Sequence, residues 1–173
     1  MLVEKKVSYL IMEVSSHSID QHRVTDIEFD TAIFTNLSQD HLDYHKTIDN
    51  YFNTKLKLFK MIKENKQCII NYDNKYGKII DKKIKKETIK SSINLKVDFH
   101  YKSLKCDLNG IKGIISHRNE NIPISSEMIG EFNAENILLA VSACKIIGLD
   151  TESIVKGING CVKPAGRMEI FKK

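Results

Sequence analysis

The chain has 173 residues, a net charge of +5, 42% apolar and 28% charged residues, the make-up of one globular domain with a sizeable core. No stretch reaches the roughly 20 apolar residues of a membrane span. The start, MLVEKKVSYLIMEV, has too short an apolar run and no small-residue cleavage site for a secretory signal, so a cytoplasmic location is expected.

Residues 7–14, VSYLIMEV, are an apolar run ending in a carboxylate and predict a buried strand with Glu13 near its carboxyl end. A polar segment follows. AIFTNL (32–37) predicts a second buried strand, running at once into Ser38, Gln39, Asp40 and His41. Two such strands predict a parallel α/β sheet, whose ligands gather beyond the carboxyl ends of its strands. Residues 47–64 give the clearest helix: Ile48, Tyr51, Phe52, Phe59 and Ile62 share one face, with Lys55 in its middle. QCIINYDN (67–74) predicts another strand, and 75–90 is lysine-rich and ambiguous.

Between 55 and 90 stand twelve lysines and four acids, Glu64, Asp73, Asp81 and Glu87. With no arginine and few aromatics, this block reads as a solvated face rather than a nucleic-acid surface, some lysines drawing in an anionic substrate. From 97 to 128 the pattern predicts a small antiparallel meander, with Asn109-Gly110 as a two-residue hairpin signal. A helix over 131–147 points Ile137, Leu138, Val141, Cys144 and Ile147 inward and stops at Gly148. Thr151 caps a further short helix to about 159. Pro123 and Pro164 fall at strand and loop positions. None of the four cysteines forms a CxxC pair, and three sit in apolar runs, which predicts buried thiols in a reducing compartment.

Three residues carry the chemistry. A lysine inside an apolar stripe either reaches past its neighbours to water or holds a neutral or modified amine, and spacing leaves both readings open. Glu13 and His41 each follow an apolar strand, and a carboxylate with an imidazole suits magnesium or manganese when phosphate oxygens complete the shell. The run Asp40-His41-Leu42-Asp43-Tyr44-His45 adds further ligands, but HLDYH lacks the glutamate of HExxH. Ser15, Ser16, His17, Gln21, His22 and Arg23 form a polar cluster. No GxSxG elbow accompanies it, so a Ser–His hydrolase is set aside. A helix cap explains Ser15 and Ser16 equally well, and Arg23 suits a carboxylate or phosphate.

These segments resemble, in order, the signatures of the peptidoglycan tripeptide synthetases of the Mur ligase family. Met12-Glu13-Val14-Ser15-Ser16-His17 with Gln21-His22-Arg23-Val24 resembles the first. Phe34-Thr35-Asn36-Leu37 with Asp40-His41-Leu42-Asp43-Tyr44-His45 resembles the second. Tyr51-x-x-x-Lys55-x-x-Leu58-Phe59 resembles the segment holding a carbamylated lysine. Gly130-x-Phe132-Asn133-x-x-Asn136 resembles the adenine-side helix, and Pro164-Ala165-Gly166-Arg167-Met168-Glu169 the loop closing the central domain. Ser18 stands where many relatives have glycine.

The resemblance implies an incomplete P-loop-type, mostly parallel α/β sheet flanked by helices, with the meander attached. It implies an ATP- and magnesium-dependent ligase that adds the third amino acid to UDP-N-acetylmuramoyl-L-alanyl-D-glutamate through an acyl phosphate. The incoming amino acid would be of diaminopimelate or lysine type, and neither nucleic acid nor membrane is an expected partner. Glu13, His41 and Lys55, the last as N6-carboxylysine, would hold magnesium, with His41 and Lys55 catalytic. Ser15, Gln21 and Arg23 would contact the UDP-linked substrate. Asn133 and Asn136 would lie near the base of ATP, and Arg167 near its phosphates.

None of the eight glycines begins a GxxxxGK[ST] run. The chain is therefore expected to span 1–173 of a central domain that starts after the phosphate loop and its Thr-Thr pair. The UDP-binding N-terminal domain and the C-terminal ligase domain would lie outside it. On that expectation the chain alone is inactive. The alternative is a non-catalytic module that binds substrate or is complemented by a partner. A folylpolyglutamate or cyanophycin synthetase fits less well with SSH…QHRV and DHLDYH.

Overall fold

The structure is a computed structural model and describes residues 4–161. Twelve elements follow in order: α1 (Ser16–Asp20), β1 (Ala32–Phe34), α2 (Leu42–His45), α3 (Ile48–Leu58), β2 (Cys68–Asn71), α4 (Lys75–Lys83), β3 (Thr88–Ser92), β4 (Phe99–Asp107), β5 (Gly110–His117), β6 (Glu120–Ser126), α5 (Glu131–Ile146) and α6 (Thr151–Asn159). The six strands form one sheet in sequence order. β1 to β4 run parallel, and β4, β5 and β6 pair antiparallel. The mostly parallel α/β sheet is thus as the sequence predicts. The meander is not a separate unit: Ser91 of β3 pairs with Phe99 of β4 and joins it to the parallel half.

Alternation along the strands sorts two layers. Ala32, Phe34, Cys68 and Ile70 face α3 and α4 and form one core with Tyr51, Phe52, Phe59, Ile62 and Ile80. A second core lies between the meander and α5–α6, with Phe99, Ile111, Ile115, Ile122, Ile137, Leu138 and Val141 buried. α5 extends over β2 and β3, where Ser142 Oγ lies 2.8 Å from Ser91 Oγ. It does not cover β1, so Ile33 on that face stays 36% exposed.

Several local predictions need correction. Residues 7–14 form no strand: nothing described pairs with their backbone, and Val7, Tyr9, Leu10, Ile11 and Met12 are exposed, Ile11 at 91%. The helix predicted over 47–64 begins on the Thr47 cap but ends at Leu58, after which Ile62 returns toward the sheet as a bridge to Phe29. The ambiguous 75–90 stretch holds α4, capped by Asn74, and β3. In the first hairpin the loop is Leu108-Asn109, one residue earlier than predicted; Gly110 closes it with φ +127° and its absent side chain leaves room for the Ser126 carbonyl. Ile147 is exposed rather than inward, and Asp150, not Thr151, caps α6 by accepting from the Ser153 N–H at 2.8 Å. Gly148 ends α5 as predicted, with φ +88°. Pro123 sits on β6, an edge strand, where a missing N–H is tolerated. Cys68 is buried, Cys106 and Cys144 are half-buried and Cys161 is exposed. Among the described residues no helix is long and apolar enough to cross a membrane.

The bare apolar segment has a measurable consequence. Exposed apolar surface and an unpaired strand edge each drive association, and the chain carries the first at residues 7–12 and the second at β1. The chain is expected to self-associate as concentration rises, and Leu10→Lys with Ile11→Lys to suppress this in sedimentation velocity. Equal association by the double variant would remove the segment from the account.

Candidate metal and substrate site

The candidate residues fall into two clusters. The first is built by α1, α2 and α3. Ser15 is the N-cap of α1, its Oγ accepting from the Ser18 N–H at 3.1 Å, so the capping role read from sequence is realised. Ser16, the first helical residue, is buried. At the other end of α1, Asp20 accepts from Tyr44 Oη at 2.9 Å, tying α1 to α2. That hydrogen bond, with Lys57 nearby, holds the Asp20 carboxyl below its ordinary pKa and pushes Tyr44 up. Gln21 and Arg23 lie near the Tyr44 hydroxyl and oppose its upward shift.

His41 immediately precedes α2 with φ 58° and ψ 23°, a left-handed conformation uncommon for a residue with a side chain. Its N–H donates to Asp40 Oδ1 at 2.8 Å. Lys46 closes α2 with φ 65°, so this single turn is flanked by two strained residues. Such conformations cost of order 1–3 kcal/mol and concentrate at functional sites.

Tyr51 organises the cluster. It is buried on α3, and its ring meets His41 edge-on at 5.8 Å and stacks on His45 at 5.0 Å with an interplanar angle of 14°. Lys55, one turn further along α3, places Nζ 5.2 Å from the centroid of the same ring. Burial lowers the Lys55 pKa, and the charge of Glu13 opposes that shift. Glu13 itself is exposed, just ahead of α1. The structure therefore brings His41 and Lys55 to the Tyr51 ring, with the charge of Glu13 acting on Lys55. His17 completes the group, its ring 5.1 Å from His41, 4.2 Å from Tyr44 and 5.6 Å from His45.

Among the described residues no three His, Cys, Asp or Glu side chains assemble as a metal-binding group. Glu13 and His41 would supply two ligands, and a third would require Lys55 to become an anion. Desolvation of the amine suits that change, because carbamate formation needs the neutral amine, and the Glu13 charge works against it. The resulting set, two carboxylate-like oxygens and one imidazole, fits magnesium or manganese.

The second cluster lies at the carboxyl end of β2 and the start of α5. Asn133 Nδ2 donates to the Ile129 carbonyl at 2.8 Å, and Asn136 is exposed. Glu135, between them, accepts from Asn71 Nδ2 at 3.0 Å, and burial raises its pKa. Asp73 accepts from Ser92 Oγ at 2.7 Å, the Ile93 N–H at 2.6 Å and Asn94 Nδ2 at 3.1 Å. Sequence reasoning overlooked Asp73, Glu135 and Tyr51 as site residues and offered His45 only as a further ligand in the run from Asp40. An acid directly after a buried strand was the signal for Asp73; nothing local distinguished the others. Arg167 lies outside the described residues.

The family model of the Mur ligase middle domain matches residues 1–144. The chain is 38% identical over 172 residues to the UDP-N-acetylmuramoyl-L-alanyl-D-glutamate--2,6-diaminopimelate ligase of Clostridium botulinum, covering 99% of this chain and 35% of that protein. It is 39% identical over 163 residues to the protein of the same name from Synechocystis, covering 93% and 32%. A solved ligase structure bearing that name superposes with a TM-score of 0.81 at 26% identity, covering 93% of this chain and 34% of the other. MurF from Acinetobacter baumannii shares the fold at 18% identity and TM-score 0.77, covering 84% and 32%. The chain thus spans about a third of the length of the curated relatives it matches.

Proposed function

Because the chain belongs to the Mur ligase family through its middle domain, we propose that it forms the metal-side wall of an ATP-dependent amide ligase of peptidoglycan synthesis. The reaction is addition of an amino acid to UDP-N-acetylmuramoyl-L-alanyl-D-glutamate. ATP phosphorylates the terminal carboxylate, and the incoming amine forms the C–N bond as the C–O bond to phosphate breaks. The names of the relatives favour diaminopimelate over lysine as the amino acid. The observation that carries this reading is the convergence of Lys55 and His41 on the Tyr51 ring, with the Glu13 charge acting on Lys55.

In this account the neutral Lys55 amine adds to carbon dioxide. An N–C bond forms, a proton leaves to water and the carbamate anion remains. Glu13, His41 and the carbamate would hold magnesium, which supplies charge neutralisation at crowded phosphate oxygens. Gln21 and Arg23, on the exposed end of α1, orient the UDP-linked substrate, with Ser15 at its start. Asn133 and Asn136 would lie near the base of ATP, and the phosphate role expected of Arg167 falls outside the described residues.

The chain contains no GxxxxGK[ST] run, so it is expected to release no phosphate from ATP by itself. A longer protein that joins this segment to a phosphate loop and a C-terminal ligase domain is expected to release phosphate only with both the UDP-linked dipeptide and diaminopimelate present. Product is read as the UDP-linked tripeptide by mass spectrometry. Phosphate release without amide formation in that protein would sink the ligase reading. ATP turnover by the 173-residue chain would sink its assignment to one wall.

A further inference from the structure

We propose that His45 is a positioning residue that locks the three segments bearing Glu13, His41 and Lys55 into one site; the inference rests on the metal-site reading above. His45 is 6% exposed and held on three sides. Its Nε2 lies 2.8 Å from Ser16 Oγ, which is buried at the start of α1, three residues after Glu13. Its carbonyl accepts from Asn50 Nδ2 at 3.1 Å, fixing the turn from α2 into α3. Its ring lies flat on Tyr51, whose edge contact with His41 and face contact with Lys55 Nζ define the cluster.

The chemistry of imidazole suits this role. It offers a flat face for the tyrosine and a polar edge for the serine at the same time. A phenyl ring would keep the face and lose the edge. A glutamine would keep the edge and lose the face. His41 itself sits in a left-handed conformation at the entrance to α2, and the single helical turn from His41 to His45 is closed by the His45 N–H donating to the His41 carbonyl at 3.0 Å. Moving His45 therefore moves His41 through the backbone as well as through Tyr51. Groups that orient metal ligands in this way change metal affinity by about ten- to a hundredfold when removed.

The test uses the full 173-residue chain in bicarbonate buffer. Manganese(II) uptake is followed by electron paramagnetic resonance and the Lys55 carbamate by NMR with carbon-13 bicarbonate, at temperatures below each variant's melting transition. Ser16→Ala removes the hydrogen bond with little change in volume. Together with His45→Phe it is expected to weaken manganese binding by about tenfold or more and to reduce the carbamate signal. His45→Gln is expected to recover part of the loss. Should His45→Phe fail to fold, Ser16→Ala still decides the matter. A folded Ser16→Ala chain with wild-type manganese affinity and carbamate signal would overturn the positioning role while leaving the metal site intact. A wild-type chain that takes up neither manganese nor carbon dioxide would overturn the metal-site reading and this inference with it.

Discussion

Lys55→Ala, in a longer protein that carries this segment with the rest of the ligase, is expected to lower amide formation by about a hundred- to a thousandfold. That is the scale seen when one fixed group stabilising transition-state charge is removed. Lys55 lies on the apolar side of α3 against Tyr51, and desolvation holds its amine below the ordinary lysine pKa despite the charge of Glu13. A larger neutral fraction at a given pH makes the amine a better nucleophile toward carbon dioxide than an exposed lysine. The carbamate fraction should accordingly rise with pH, starting lower on the pH scale than for the surface lysines. Short carboxylates such as acetate should restore part of the activity of Lys55→Ala, since the cavity left by the side chain admits an anion of similar chemistry. Full activity of Lys55→Ala would remove the carbamate from the account, as would a carbon-13 carbamate signal that survives the substitution.

The type of sheet was legible because it depends on patterns of two and 3.6 residues. Cys68–Asn71, the meander and α5 fall where such patterns placed them. Residues 7–14 show where pattern fails. VSYLIMEV has the composition of a buried strand, but burial needs neighbouring backbone to pair with and a layer to lie under, and among the described residues neither is present. The end of α3 was misjudged for a similar reason: Phe59 and Ile62 continue the helical spacing, yet both are buried from a turn that brings Ile62 to Phe29. In the site, Glu13, His41 and Lys55 could be named from the strands and stripe they interrupt. Tyr51 could not, because a tyrosine at an apolar position reads as core, and His45 could be named only as one more ligand; the importance of both lies in which rings they touch. That is tertiary information. Motif resemblance supplied the order of the segments; the geometry supplied the ring that joins them.

Gly77→Ala tests how tightly the second cluster depends on packing behind it. Gly77 lies in α4, where alanine would ordinarily favour the helix by about 1 kcal/mol over glycine. A Cβ built there would stand 2.1 Å from the Asn71 carbonyl oxygen and 2.8 Å from Ile70 Cγ2. The first contact is with strand backbone in the middle of the sheet, which cannot turn aside as a flexible side chain would. Overpacking typically costs 1–3 kcal/mol, and a 2.1 Å contact with backbone places this site in the upper half of that range, so a net loss of about 1–2 kcal/mol is expected after the propensity gain. For a chain of this size that corresponds to a fall of roughly 2–8 °C in Tm. Gly157 in α6 is the internal control, for nothing lies within 4 Å of a Cβ there. Gly157→Ala should be neutral or stabilising by up to about 1 kcal/mol. The displacement at Gly77 has a second reach. Asn71 also donates to Glu135 at the start of α5, and its Oδ1 accepts from the Asp73 N–H at 3.1 Å. A shifted Asn71 therefore disturbs both the first turn of α5 and the carboxylate that fixes the loop after β3. Nucleotide affinity in the longer ligase should fall with Gly77→Ala and stay unchanged with Gly157→Ala. If Gly77→Ala melts at or above the wild-type temperature, α4 does not lie against β2 as closely as described.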